Sequence, residues 1–373
     1  MTKAEISEIK KLFTLKNCSI TRICGCYVNG DKDIINTWSQ NFLAMDEEDL
    51  LKYMALFKKC LQGSLNKTMF NIKPGQNKGD KLLRLKQSKL KDDDMLMEFY
   101  RHIIDYYEYV GNYLILVIHD AYDVPGKTSD NEELEDASEE VYEYIMACIC
   151  PVTLTKPGLG YNKEKSIFTH LERDWVINTP EIAILYPAFN DRSEDREAAL
   201  YSVKSMDSDK KDFATDAFGA VIEWTPGEEK DIYQQILEQT LGRDRSFQDI
   251  RNINEMTLQL AEERTAEGNK VGIEDIREVL RAADIKEEKI DKLDNAYIEV
   301  AGSLDTEIAL NNIVNRRSFT IKTDHGTITM KPEQAHYVES KIIDGEPCIV
   351  LQLNQEVINV DGIDVTVGGN IHE

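Results

Sequence analysis

The sequence predicts an α+β protein: an N-terminal mixed sheet covered by helices, an acidic helical middle and a small C-terminal antiparallel β element. Three observations lead there. Segments 19–28, 113–119, 141–152 and 181–186 are rich in β-branched and aromatic residues and apolar on both faces, as in strands covered from both sides. Around them run helical stripes, with apolar residues three and four apart and matching caps. From residue 319 the apolar period shortens to two, interrupted at Asp324-His325-Gly326, Asp344-Gly345 and Asp361-Gly362. A chain of 373 residues exceeds one small core, so we divide it at 1–205, 206–315 and 316–373.

Taken in order, Thr2 and Glu5 form a capping box for a first helix that buries Ile6, Ile9 and Phe13. The strand 19–28 ends in the hairpin signal Asn29-Gly30. Asp46 to Asp49 start a second helix, with Leu50, Tyr53, Met54, Phe57 and Leu61 on its apolar side and Lys58 and Lys59 at its end, an arrangement that suits the helix dipole. Residues 62–87 mix Gly, Asn and Lys around Pro74-Gly75, and the first half reads as a mobile basic loop. Asp92 to Asp94 open a third helix. Strands at 113–119, 141–152, 175–177 and 181–186 follow, then an irregular charged stretch, 190–224. Thr225-Pro226 and Ser246 with Asp249 start two further helices, and 273–283 and 286–300 continue the helical pattern. No internal repeat is evident.

Charge is distributed unevenly. Residues 1–91 carry 17 Lys/Arg against 9 Asp/Glu, whereas the whole chain is −24. Within 58–91 there are ten bases, Lys58, Lys59, Lys67, Lys73, Lys78, Lys81, Arg84, Lys86, Lys89 and Lys91, and one acid, Asp80. Such a block implies a polyanionic partner, the protein's own acidic stretch 130–143, or a solvated surface. Lysine dominance favours point contacts to phosphates over reading of base edges. No apolar run is long enough for a membrane span, and the N-terminus lacks a signal-peptide core, so a cytoplasmic protein without a membrane partner is expected. Of seven cysteines, Cys24/Cys26 and Cys148/Cys150 are spaced by two; a strand puts each pair on one largely apolar face, which favours buried thiols over a zinc site.

One polar cluster follows the apolar strand 113–118. His119, Asp120 and Asp123 are candidate ligands for a divalent metal, since imidazole and carboxylates bind such ions; the plainer reading is a satisfied histidine with carboxylates capping a turn. Gly126-Lys127-Thr128 imitates the end of a phosphate loop, but Ala121 stands where that motif needs glycine. Arg192 could clamp an anion or form a structural ion pair. No Gly-x-Ser-x-Gly, His-Glu-x-x-His or Gly-x-Gly-x-x-Gly motif occurs.

Several motifs, Ile23-Cys24-Gly25-Cys26-Tyr27-Val28, His119-Asp120, Cys150-Pro151-Val152, Lys156-Pro157-Gly158-Leu159 and Pro187-Ala188-Phe189-Asn190-Asp191-Arg192-Ser193, resemble an uncharacterised domain-of-unknown-function family of Gram-positive anaerobes. That likeness implies no catalytic residues. In layout the chain is also similar to the YejK-type nucleoid-associated proteins, with residues 311–317 leading into a short β tail. The resulting expectation is a non-enzymatic, nucleoid-associated type of protein that binds DNA, or a DNA-bound partner, through 58–91 and needs no cofactor. Two alternatives stand beside it. One is a metal-dependent enzyme acting on a phosphate-bearing substrate at His119, Asp120 and Asp123. The other is an assembly module, a homodimer held by the C-terminal strands.

Overall fold

The computed structural model describes residues 1–127, 133–170, 172–264 and 269–367, with backbone only for 126, 127 and 133–140. Two units, 1–227 and 228–373, divide the chain. The class is α+β, as expected. In chain order the first unit contains α1 (Lys3–Leu12), β1 (Ile20–Val28), β2 (Ile34–Asn41), α2 (Glu47–Cys60), β3 (Met69–Ile72), α3 (Gln76–Gln87), α4 (Asp93–Tyr106), β4 (Asn112–Lys127) and β5 (Glu133–Leu154). There follow β6 (Leu159–Asn162), β7 (Ile167–His170), β8 (Trp175–Ile177), β9 (Ile182–Tyr186), β10 (Ala188–Asn190), β11 (Ser193–Asp195), β12 (Ala199–Val203) and α5 (Ser208–Phe218).

Eight strands form the main sheet in the order β2-β1-β4-β5-β9-β12-β3, with β8 added to the end of β5. Every described pair in it is antiparallel, where the sequence suggested a mixed sheet. Strands apolar on both sides are usual in parallel sheets, but what they report is coverage, and here helices cover both faces. Tyr113, Ile115 and Val117 of β4 join Cys24, Cys26, Leu82 and Leu85 of α3, Phe99 of α4 and Phe213 of α5 in one core. Leu114, Leu116 and Ile118 join Cys148, Cys150, Ile9 of α1 and Phe57 of α2 in the other. Burying one such side chain stabilises by roughly 1.5–3 kcal/mol. Stripping either face would therefore exceed the few kcal/mol of net stability a domain has.

The two Cys-x-Cys pairs are buried as expected, and they occupy opposite cores with the sheet between them. Thr2 and Glu5 complete the expected capping box, and Asp92 caps α4 through the Met95 amide. Where the sequence read a mobile loop, β3 forms, Met69 to Ile72 pairing with β12; beyond it α3 buries Leu82 and Leu85. The stretch read as irregular contains the fully buried β12 and α5, whose Phe213 and Phe218 pack in the first core.

The second unit comprises α6 (Pro226–Leu241), α7 (Phe247–Glu263), β13 (Lys270–Val271), α8 (Ile273–Ala282), α9 (Glu287–Ile290), α10 (Leu293–Ala301), β14 (Ile308–Ala309) and α11 (Leu310–Ile313). Its core gathers Ile236, Leu241, Ile253, Leu280, Leu293 and Tyr297. The buried Glu229 carboxylate accepts from the Ala309 amide at 3.2 Å and from the Asn312 side chain. Then come β15 (Phe319–Thr323), β16 (Gly326–Met330), β17 (Val338–Ile343), β18 (Glu346–Leu351), β19 (Val357–Val360) and β20 (Ile363–Thr366). They form three separate hairpins in series rather than one small sheet. Asp344-Gly345 and Asp361-Gly362 have positive φ at both positions, the type I′ turn that matches strand twist. Among the described residues no helix is long and apolar enough to cross a membrane.

Gly25 shows how tightly β1 and β2 are matched. It lies directly opposite Trp38, and a Cβ on it would sit 2.4 Å from the indole ring. Overpacking of this kind costs about 1–3 kcal/mol. Chemical denaturation of Gly25→Ala is expected to show that loss, and a double-mutant cycle with Trp38→Ala is expected to recover most of it. Equal costs in both backgrounds would place the strain elsewhere.

Candidate nucleic-acid interface

The basic segment acquires its geometry from β3, an edge strand of the sheet. The segment begins on one face at the end of α2, follows the edge along β3, and continues on the other face as α3. Lys67 and Lys73 flank the edge strand, where lysine also discourages pairing with another chain. The edge is partly closed by the N-terminus: the Met1 ammonium donates to Asn71 Oδ1 at 2.8 Å, and Asn71 Nδ2 donates to the Met1 carbonyl at 2.9 Å.

The ten cations fall into four environments. Lys86 is buried and pairs with Glu194 at 2.8 Å, while Arg196 holds the other carboxylate oxygen at 2.6 Å. Burial pushes the Glu194 carboxyl up, but its two cationic donors outweigh that and hold it below the usual range. This pair is structural, because breaking it would strand a buried charge. Lys89 pairs with Glu143 at 2.7 Å and Lys81 with Glu98 at 2.7 Å, both partly solvated. Exposed pairs contribute at most about 1 kcal/mol and open readily to a stronger anion. The remaining Lys58, Lys59, Lys67, Lys73, Arg84 and Lys91 have no carboxylate partner among the described residues, and all but the half-buried Lys58 are exposed. Of the acidic stretch 130–143, residues 130–132 and the side chains of 133–140 lie outside the described residues, as does residue 128 of the Gly126-Lys127-Thr128 run.

Lys78 occupies a different setting. It is half-buried at the mouth of a concavity of about 90 Å³ between α3, α4 and α5, lined by Leu82, Leu85, Met95, Phe99, His102 and Phe218. Its Nζ stands 5.1 Å from the centre of the Tyr106 ring, a cation–π contact. Burial and the neighbouring Lys81 lower its pKa. Burial, then Lys78 and Lys81, likewise lower that of His102, against a hydrogen bond to the Ala217 carbonyl. Sequence reading missed this concavity, although Met95, Phe99, His102 and Tyr106 recur at helical spacing on α4. A wider cleft of about 740 Å³ lies elsewhere, with Trp38, Tyr53 and Trp175 among its walls.

The proposed metal ligands diverge. Consecutive strand residues point to opposite faces, so His119 faces the core of α3 and α4 while Asp120 faces that of α1 and α2. Asp120 accepts from the Tyr144 hydroxyl at 2.7 Å, and burial raises its pKa. Asp123 is exposed, four positions along the strand from His119. Among the described residues no three His, Cys, Asp or Glu side chains converge on one point. Arg192 pairs with Glu8 at 3.2 Å and donates to the Pro125 carbonyl at 3.0 Å, so it acts as a structural tie.

This is an antiparallel α+β fold whose exposed cations wrap one sheet edge. The chain belongs to the family described as a domain of unknown function (DUF4317), whose model matches residues 1–363. No curated protein and no solved structure matches it.

His119 gives the site a pH signature. Its Nδ1 lies 2.7 Å from Thr21 Oγ1, which itself donates to the His119 carbonyl at 3.2 Å. The buried Nε2 has no hydrogen-bond partner among the described residues. Burial pushes the pKa from 6.5 down to about 4, with Glu143 opposing and Lys89, Lys86 and Lys91 assisting. The unfolded chain therefore takes up a proton below 6.5 that the folded one refuses until about 4, and stability falls with pH across that window. Denaturant midpoints of His119→Gln are expected to decline less than those of the unaltered protein between these limits. Parallel declines would mean that other groups set the loss.

Proposed function

We propose that the first unit binds nucleic-acid phosphates through the segment 58–91, as a non-enzymatic protein of the nucleoid-associated type. One observation carries the reading: seven cations of this segment have no carboxylate partner among the described residues of a chain with net charge −24. In such a chain free carboxylates are plentiful, so cations left without them are placed for an external polyanion. Lysine contacts of this kind are weakly sequence-specific, and each phosphate neutralised steepens the salt dependence by about 0.9 in log–log slope for duplex DNA. Replacing Lys59, Lys73, Arg84 and Lys91 together by glutamate is expected to abolish binding of a fluorescent DNA duplex at low salt. An unaltered protein that binds neither duplex nor single strand at low salt sinks the reading.

A second reading, assembly through the C-terminal hairpins, is supported by their apolar faces. Ile358, Val360, Ile363 and Val365 share one side of β19–β20, and Phe319, Ile321, Ile328 and Met330 share one side of β15–β16. Ile342 and Ile363 are 71% and 69% exposed. A lone two-stranded hairpin is marginal in water. Light scattering is expected to report an oligomer that Ile342→Ser with Ile363→Ser dissociates; a monomer at the highest soluble concentration would remove this role.

A further inference from the structure

The concavity between α3, α4 and α5 combines two chemistries that contact with a duplex backbone does not use together. Its floor is apolar and partly aromatic, with Leu82, Leu85, Phe99 and Phe218 all buried. Its rim carries Lys78, Lys81 and Arg84, together with Glu98, which pairs with Lys81 at 2.7 Å. Its 90 Å³ would admit roughly six waters, counting about 15 Å³ for each, which is enough for one flat ring.

Lys78 supplies the second, independent observation. Its Nζ is 3.3 Å from His102 Nε2, and the same Nε2 lies 2.7 Å from the Ala217 carbonyl. A carbonyl can only accept, so the proton sits on Nε2 and that nitrogen cannot accept from Lys78. The Lys78 ammonium, largely open to solvent, thus has a ring face on one side and no protein acceptor among the described residues. An anion at the rim would supply that acceptor. A duplex would bring such an anion but keep its bases stacked, whereas a single strand brings both a phosphate and a free base to lay on an aromatic wall.

We propose that this concavity holds one unpaired base of single-stranded nucleic acid, with the adjoining phosphate on Lys78 and Arg84. The proposal rests on the reading that the segment binds nucleic acid, and it adds the class of strand preferred. Binding of an oligothymidine and of a duplex of equal charge, followed by anisotropy at one salt concentration, tests it. Stacking of one base corresponds to single-strand binding roughly five- to one-hundred-fold tighter. Met95→Trp, which fills the cavity from its half-buried wall, is expected to reduce single-strand affinity to the duplex value and leave duplex affinity unchanged.

Because that variant could misfold, a strand containing 2-aminopurine is also titrated into the unaltered protein. Its emission is expected to rise as the base leaves the stack. Equal affinity for the two strand types, or emission that stays flat at saturation, overturns the base pocket while leaving phosphate binding intact. Absence of binding to either strand type overturns both.

Discussion

The β4–β5 ladder has to be shielded from water on both sides, and the rest of the first unit follows from that requirement. The run from Tyr113 to Ile118 has no polar side chain directed at solvent, so neither face can serve as an exterior. One layer of helices cannot meet the demand. α1 and α2 cover one side while α3, α4 and α5 cover the other, and the chain must pass from the first layer to the second. It does so around β3, which is why the basic segment lies on the rim of the sheet. The same constraint accounts for His119 and Asp120. They continue a strand buried on both faces, so each is drawn into a core and made to find partners there.

Sorting the cations by surroundings changes what their number means. Ten bases in sequence suggest one uniform patch, yet the buried Lys86–Glu194 pair ties α3 to the β10–β11 hairpin and offers nothing to a ligand. Lys81 and Lys89 are in partly solvated pairs that cost little to open. The unpaired set can meet a polyanion without first giving up an internal contact. If the proposed binding holds, these cations act locally against the long-range repulsion that so large an acidic excess exerts on nucleic acid, and screening by salt shortens the reach of both effects.

Much of the fold was legible because its signals are local. Capping boxes at Thr2 and Ser246, proline at the first position of α6 and the Asn29 turn are each set by a few neighbouring residues. The elements missed are those fixed from a distance. β2 reads as polar because it is an edge strand with most side chains exposed, and only its pairing with β1 makes it a strand. β3 reads as part of a loop because it is short and lies among Gly63, Asn66, Asn71 and Pro74, poor strand formers; pairing with β12 overrides that preference. For the metal cluster the decisive rule was present in the sequence. Adjacent residues of a strand diverge, so His119 and Asp120 separate as soon as the strand extends past residue 118. The concavity at Lys78 needed three helices brought together by the sheet, and no spacing within one segment encodes that.

The C-terminal hairpins are governed by a different balance. A ribbon of two strands buries little, so its shape is held by turn chemistry and ladder bonds more than by a core. Asp344-Gly345 and Asp361-Gly362 supply the left-handed positions such turns demand, glycine at no steric cost and aspartate at a small one. The middle hairpin is anchored at one end: Val338 is fully buried, and Arg251 of α7 donates to the Val338 carbonyl at 3.2 Å. Away from that anchor the aliphatic side chains point outward, and Ile342, four residues on, is largely exposed. In β15–β16 and β19–β20 the apolar residues share one side; Phe319 packs on Phe247 of α7, whereas Ile328 and Ile363 stay exposed.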